Sequence, residues 1–169
     1  MKKFYKNIIY ILLIFSFVFL MSCSKNKEKN MIKEFLSFYF EQLNYNEEEW
    51  DKAKIEYSSY VKINPEENKE NNYDFKNSYE ASEYSKYLTE NCFYKLVRDR
   101  FIPNLKLKSL KNAEYSLNEI KKEDDFYNVS VNILTDDKKY SIKIPIAFYK
   151  EKKISYIDFT SLTEIYDKD

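Results

Sequence analysis

Residues 126–148 read FYNVSVNILTDDKKYSIKIPIAF, and the period of the stretch is two. Tyr127, Val129, Val131 and Ile133 alternate with Asn128, Ser130 and Asn132. After a polar break at Thr135–Lys138, Tyr140, Ile142, Ile144, Ile146 and Phe148 alternate with Ser141, Lys143, Pro145 and Ala147. Successive side chains of a strand point to opposite faces, so each run gathers its large apolar groups on one side and leaves the other to water. Two such runs joined by a short polar turn predict an antiparallel hairpin with one buried face. Pro145 has no donor for the ladder, which predicts a sheet edge or a bulge at its position.

The same period continues outward. Upstream, Leu105 and Leu107 alternate with lysines, and Ala113, Tyr115 and Leu117 alternate with polar residues. Downstream, Lys150–Lys153 reads as a turn and Ile154–Leu162 as a last strand. Before Pro103 the period is helical instead. Ile32, Phe35, Leu36, Tyr39, Phe40 and Leu43 fall on one broad apolar stripe. Asn46 with Glu49 forms a capping box for a second helix, whose buried face would be Trp50, Ala53, Tyr57, Tyr60 and Val61 and whose end is Asn64–Pro65. Glu66–Lys76 reads as a polar loop. Asn77 with Glu80 predicts a helix through Tyr84, Tyr87 and Leu88, and Thr89 caps a short helix carrying Cys92, Phe93, Leu96 and Val97. Helices first and short-looped strands second predict an α+β fold, in which N-terminal helices pack on a curved antiparallel sheet of about four strands. Residues 31–169 form its single domain.

Composition removes many chemistries. The 169 residues include 28 basic and 28 acidic side chains, no histidine, no glycine and two cysteines. Without glycine there is no Gly-rich phosphate loop or dinucleotide fingerprint. Without histidine there is no Ser-His-Asp or Cys-His relay and no His-ligated zinc. The abundance of Lys, Asn, Ile, Tyr and Phe follows A- and T-rich codons, so the 17 tyrosines are not by their number a recognition surface. An aromatic content of 18% nevertheless supplies enough large apolar area for a core.

The first residues read as an address. Lys2, Lys3 and Lys6 precede a fourteen-residue run, Ile8–Met21, that is apolar apart from Tyr10 and Ser16. A bilayer span needs about 20 residues, whereas an export signal's apolar region takes about 7–15. The run ends in Leu20-Met21-Ser22-Cys23, which resembles the lipobox of bacterial lipoproteins. That resemblance implies a signal peptide over 1–22, cleavage between Ser22 and Cys23, and a diacylglycerol on the Cys23 sulfur. It also implies an envelope location on the extracytoplasmic side of a membrane, reached through acyl chains. Residues 23–30 would then be a polar tether. Loss of the three leader lysines leaves 25 basic against 28 acidic side chains, a balance with no electrostatic footprint for nucleic acid. With Cys23 acylated, Cys92 is the only remaining thiol, and the domain folds without a disulfide.

The order of elements, together with the segment YSKYLTENCFYKL at Tyr84–Leu96, resembles the nuclear transport factor 2-like family, grouped broadly as cystatin-like. There a helix ending in Tyr-Leu-Thr is followed by a short helix and a long curved sheet. The resemblance implies a cone whose sheet face holds a pocket. Members of the family in the envelope often serve as non-catalytic assembly or binding modules, while enzymatic members often place His or Asp in the cone.

Few residues are candidates for chemistry. Cys92, flanked by Phe93 and Leu96, reads as a core residue. Glu47–Glu49 suits a helix start, and Asp124–Asp125 and Asp136–Asp137 suit turns. Asp158 stands inside an otherwise apolar run, either projecting into the cone or facing solvent on an edge strand. Tyr57, Tyr60, Tyr84 and Tyr87, with Asp158, form the candidate binding surface, because tyrosine gives rigid contact area with a polar tip. No catalytic set, metal site or cofactor is implied. The expectation is a lipid-anchored, non-catalytic binding or assembly module with a protein partner in the envelope. The alternatives are an immunity or inhibitor lipoprotein that blocks a toxin or hydrolase, and a histidine-free hydrolase built on a carboxylate pair.

Overall fold

The computed structural model describes residues 27–61, 71–110, 112–136, 138–149 and 152–166. Helix α1 occupies 27–40, so Lys27–Asn30, read from sequence as part of a tether, already belong to the helix. Its predicted stripe holds: Ile32, Phe35, Leu36, Tyr39 and Phe40 are fully buried and Leu43 packs against the same core. Burying each such side chain is worth about 1.5–3 kcal/mol, which fixes the helix on the sheet. A single 3-10 turn, Glu41–Asn44, leads into α2, Glu47–Val61. The capping box is reciprocal there. The Asn46 amide donates to Glu49 Oε2 at 2.8 Å, and the Glu49 amide donates to Asn46 Oδ1 at 3.0 Å. Trp50 is buried edge-on to Tyr45, while Ala53 and Tyr57 are half-buried. The side chains of Tyr60 and Val61, and the stop at Asn64–Pro65, lie outside the described residues.

The next helix departs from expectation. Helix α3 spans Asn71–Ala81, so residues 71–76 are helix rather than loop and Asn77 lies mid-helix rather than at a cap. Tertiary packing overrides local composition here. Phe75 and Tyr79, one turn apart, are buried against Phe93 at 5.7 and 5.6 Å, and the Tyr79 hydroxyl donates to the Leu88 carbonyl at 2.7 Å. The chain then breaks at Ser82 into a 3-10 turn, Glu83–Lys86, and Leu88 forms an isolated parallel bridge to Ile154. Thr89 caps α4, Glu90–Arg98, with the Cys92 amide donating to Thr89 Oγ1 at 3.3 Å. The end of α4 is set by its own backbone, ahead of Pro103. The Phe101 amide reaches Leu96 O at 2.8 Å and the Arg100 amide reaches Val97 O at 3.0 Å, a Schellman closure with Arg100 at φ 64° where glycine is usual.

Leu105 and Leu107 do not form a strand. The segment makes a 3-10 turn at Leu107–Ser109 that buries Leu107 and leaves Leu105 exposed. The cause is a buried polar network. The Asn104 amide donates to Gln42 Oε1 at 3.0 Å, Asn104 Nδ2 to the Tyr39 hydroxyl at 3.1 Å, and Gln42 Nε2 to Tyr39 O at 2.8 Å. The Lys106 amide closes on Asn104 Oδ1 at 3.2 Å, a turn that an extended chain could not make.

The sheet has four antiparallel strands in the order β1, Glu114–Glu123; β2, Phe126–Leu134; β3, Lys139–Ala147; and β4, Tyr156–Ile157. The central hairpin follows its period: Tyr127, Val129, Val131, Ile133, Ile142, Ile144 and Ile146 are all buried. Strand β1 carries a bulge. Leu117 faces Val131 and Glu119 faces Ser130, which leaves Asn118 as the extra residue and brings Ile120 opposite Val129. Pro145 lies in β3, which is neither an edge along its whole length nor bulged: the register with β2 runs unbroken through Asn128↔Pro145. Its carbonyl accepts from the Asp158 amide at 3.0 Å, while its missing donor lies where β4 pairing stops. The predicted last strand over Ile154–Leu162 is reduced to the two residues of β4, followed by helix α5, Thr160–Tyr166. Phe159, Leu162 and Ile165, buried at a spacing of three, show the helical period that won.

Helix α1 runs antiparallel to β1. Near its start Glu28 accepts from the Tyr127 hydroxyl and pairs with Lys122 at 3.5 Å; at its end Phe40 stacks on Tyr115 at 5.0 Å. Tyr39 stacks on Phe159 at 4.4 Å, locking α5 to the same helix. The architecture is α+β, with N-terminal helices preceding an open four-stranded sheet. Among the described residues no helix is long and apolar enough to cross a membrane.

Candidate functional site

Two clefts stand out, and α1 borders both. The larger, about 700 Å³, lies between the flank of α1 and the edge of β1. Lys29, Lys33 and Ser37, one turn apart in succession, line it from the helix; Tyr115, Leu117 and Ile120 line it from the strand. Glu119 also borders it, at the bulge. Among the described residues neither Lys29 nor Lys33 has an ion-pair partner, in contrast to the neighbouring Lys122.

The backbone of β1 facing this cleft can be oriented from Pro145. Directly opposite residues of an antiparallel pair alternate between exchanging two hydrogen bonds and exchanging none. Proline cannot take part in the first kind, so Asn128 turns its amide and carbonyl toward Lys121 of β1 instead. By alternation, and with the bulge counted, Tyr115, Leu117, Ile120 and Lys122 direct their backbone groups away from β2, along the open edge.

The smaller cleft, about 170 Å³, is aromatic and acidic. Phe38, Tyr45, Tyr84, Ile102, Glu56 and Glu83 border it. Burial first, and then the negative charges of Glu41, Glu49 and Glu56, push the Tyr45 hydroxyl pKa above its usual value. Of the residues singled out from sequence, Tyr84 and Tyr87 meet on Phe38, at 4.9 Å edge-on and 5.6 Å stacked. Both are half-buried, as is Tyr57, and all three pack against the core rather than standing free on the surface. The Tyr60 side chain is outside the described residues. Asp158 directly follows the edge strand β4, with its carboxylate in an exposed turn. Its Oδ1 accepts from the Thr160 amide at 2.9 Å and the Thr160 hydroxyl at 2.6 Å, the turn that starts α5.

Among the remaining acid clusters, Glu47, Glu48, Glu49 and Asp136 have partners, while Asp137 lies outside the described residues. Glu47 pairs with Lys108, Glu48 with Lys52 at 2.8 Å, and Glu49 closes the capping box. Asp124 turns the β1–β2 hairpin at φ 51°, and Asp136 accepts from Asn112 Nδ2 at 2.9 Å. Among the described residues no group of three or more potential ligands is placed to hold a metal. Cys92 is buried, and that burial pushes its thiol pKa up to about 12, so it is protonated and unreactive at neutral pH. The lipobox and Cys23 lie outside the described residues. The residues that sequence reasoning passed over are Lys29, Lys33 and Ser37. Their spacing of four is visible in the sequence, but a cleft beside them follows only from where α1 lies on β1. No family model, curated protein or solved structure matches this chain.

Proposed function

We propose that this chain is an envelope lipoprotein, held at the membrane by acyl chains on Cys23, whose α+β domain is a non-catalytic binding or assembly module. One observation carries the reading: three lysines, a fourteen-residue apolar run and Leu20-Met21-Ser22-Cys23 stand in the order and at the lengths an exported lipoprotein requires. Each buried methylene of an acyl chain is worth about 0.8 kcal/mol, so two or more chains anchor durably. The domain reading draws support from a large core that needs no disulfide, from an inert buried thiol and from two clefts open to partners. Helices that precede an antiparallel sheet whose first strand bulges at Asn118, a device that bends strands, support the cystatin-like, cone-shaped reading of the fold.

Two experiments on the native cell test the proposal. Cys23→Ser is expected to leave the leader uncleaved and to abolish incorporation of labelled fatty acid, read as a heavier, unlabelled polypeptide. Purified wild-type protein is expected to turn over none of a panel of envelope glycans, peptides and esters. Turnover that disappears when one acidic pair is replaced by amides would overturn the non-catalytic part.

A further inference from the structure

The large cleft has the attributes of a strand-addition site. Its floor is a ten-residue edge strand whose outward amides and carbonyls, at Tyr115, Leu117, Ile120 and Lys122, are not taken by β2. Such an edge is a template for an extended segment, and main-chain hydrogen bonds would supply the affinity. One wall is α1, antiparallel to the strand. From it Lys29 and Lys33 face the space where a fifth strand would lie. Four helical residues advance about 6 Å. Two strand residues advance about 6.6–6.8 Å. Same-face side chains at i and i+2 of an added strand therefore come level with the two ammonium groups.

From this we infer that the open edge of β1 takes an extended segment of a partner protein as a fifth strand, with acidic side chains at alternate positions received by Lys29 and Lys33. The inference deepens the binding-module reading and rests on it. Charge complementarity selects the occupant, because against the single carboxylate of Glu119 at the bulge the cleft holds two lysines without ion-pair partners among the described residues. A second copy of β1 would not serve. On the face toward α1 it carries Tyr115, Leu117 and Ile120, with Lys122 next in the alternation, and so offers the lysines apolar groups and another cation. Its glutamates Glu114, Glu119 and Glu123 alternate onto the other face.

The test uses the full lipidated protein in detergent micelles and two dye-labelled heptapeptides, one alternating valine with glutamate and one alternating valine with lysine. The glutamate peptide is expected to bind at least tenfold more tightly and to slow amide exchange across 115–122. The double variant Lys29→Glu, Lys33→Glu is expected to reverse the preference with an unchanged circular dichroism spectrum, since neither side chain is buried in the core. Equal binding of both peptides, protection only outside β1, or indifference to the charge reversal would overturn the inference. So would concentration-dependent self-association that protects 115–122 without peptide, which would make a second copy the occupant. Failure here while Cys23 still directs the protein to the membrane, and a native partner crosslinks through the aromatic cleft, sinks this inference and leaves the broader reading standing.

Discussion

Arg100 sits at φ 64°, in the left-handed position that closes α4, because a chain without glycine must fill such positions with other residues. A side chain with a Cβ costs about 1 kcal/mol there. Arg100→Gly is therefore expected to stabilise the domain by about 0.5–1 kcal/mol, read as a higher urea midpoint at unchanged slope. Cys92 gives a second result at this scale. Its folded pKa, about 12, is raised from an ordinary value near 9, so its contribution to stability is full below pH 9 and is lost as pH rises toward 12. Tyr127, raised first by burial and then by its bond to Glu28, and Tyr156, raised first by burial and then by the charge of Asp158, act in the same direction. The urea midpoint is expected to fall between pH 8.5 and 10.5, and less steeply in Cys92→Ser. A midpoint flat over that range would contradict the burial argument. Single residues were legible where the partner is near in sequence: Asn46 with Glu49, and Thr89 with Cys92. Asp158 was not, because its role depends on α5 starting two residues later.

At the scale of elements, α1 and the central hairpin were legible because their apolar periods are long and unbroken, and burial rewards each repeat. Helix α3 was hidden by Asn- and Glu-rich composition. Its two anchors, Phe75 and Tyr79, find their partner Phe93 only in the folded chain. The strand read at Leu105–Leu107 failed to form because Asn104 spends its amide and side chain on Gln42 and Tyr39, residues more than sixty positions away. Asn104→Leu is expected to cost about 2–3 kcal/mol, because it removes the buried bond to the Tyr39 hydroxyl and the acceptor of the Lys106 amide, while the backbone bond to Gln42 stays. Thr89→Ala, which removes only a cap, is expected to cost about 1 kcal/mol. Equal losses for the two in urea denaturation would show that the buried network has no special weight. In β1 the alternation is visible to Leu117 and then breaks, since Asn118 and Glu119 stand together before Ile120. Deletion of Asn118 restores strict alternation, so the variant is expected to fold with the β1–β2 pairing intact, checked by amide-exchange protection of the hairpin.

For the whole molecule, the proposed function divides anchoring and recognition along the chain. The proposed address lies in the first twenty-three residues, while the domain supplies, among the described residues, a sheet edge at β1 walled by a basic helix flank and a smaller aromatic, acidic cleft. The α+β class was legible because helical and two-residue periods occupy separate halves of the sequence. The large cleft was not, because it belongs to neither element alone: it arises where α1 runs beside the edge strand β1. The central claim is that Cys23 bears lipid, and intact-mass spectrometry of the protein extracted from its native membrane tests it most directly. The account predicts a chain that begins at Cys23 and carries the added mass of a diacylglycerol, with Cys92 unmodified. A chain that retains residues 1–22, or one whose Cys23 has no acyl mass, would contradict it.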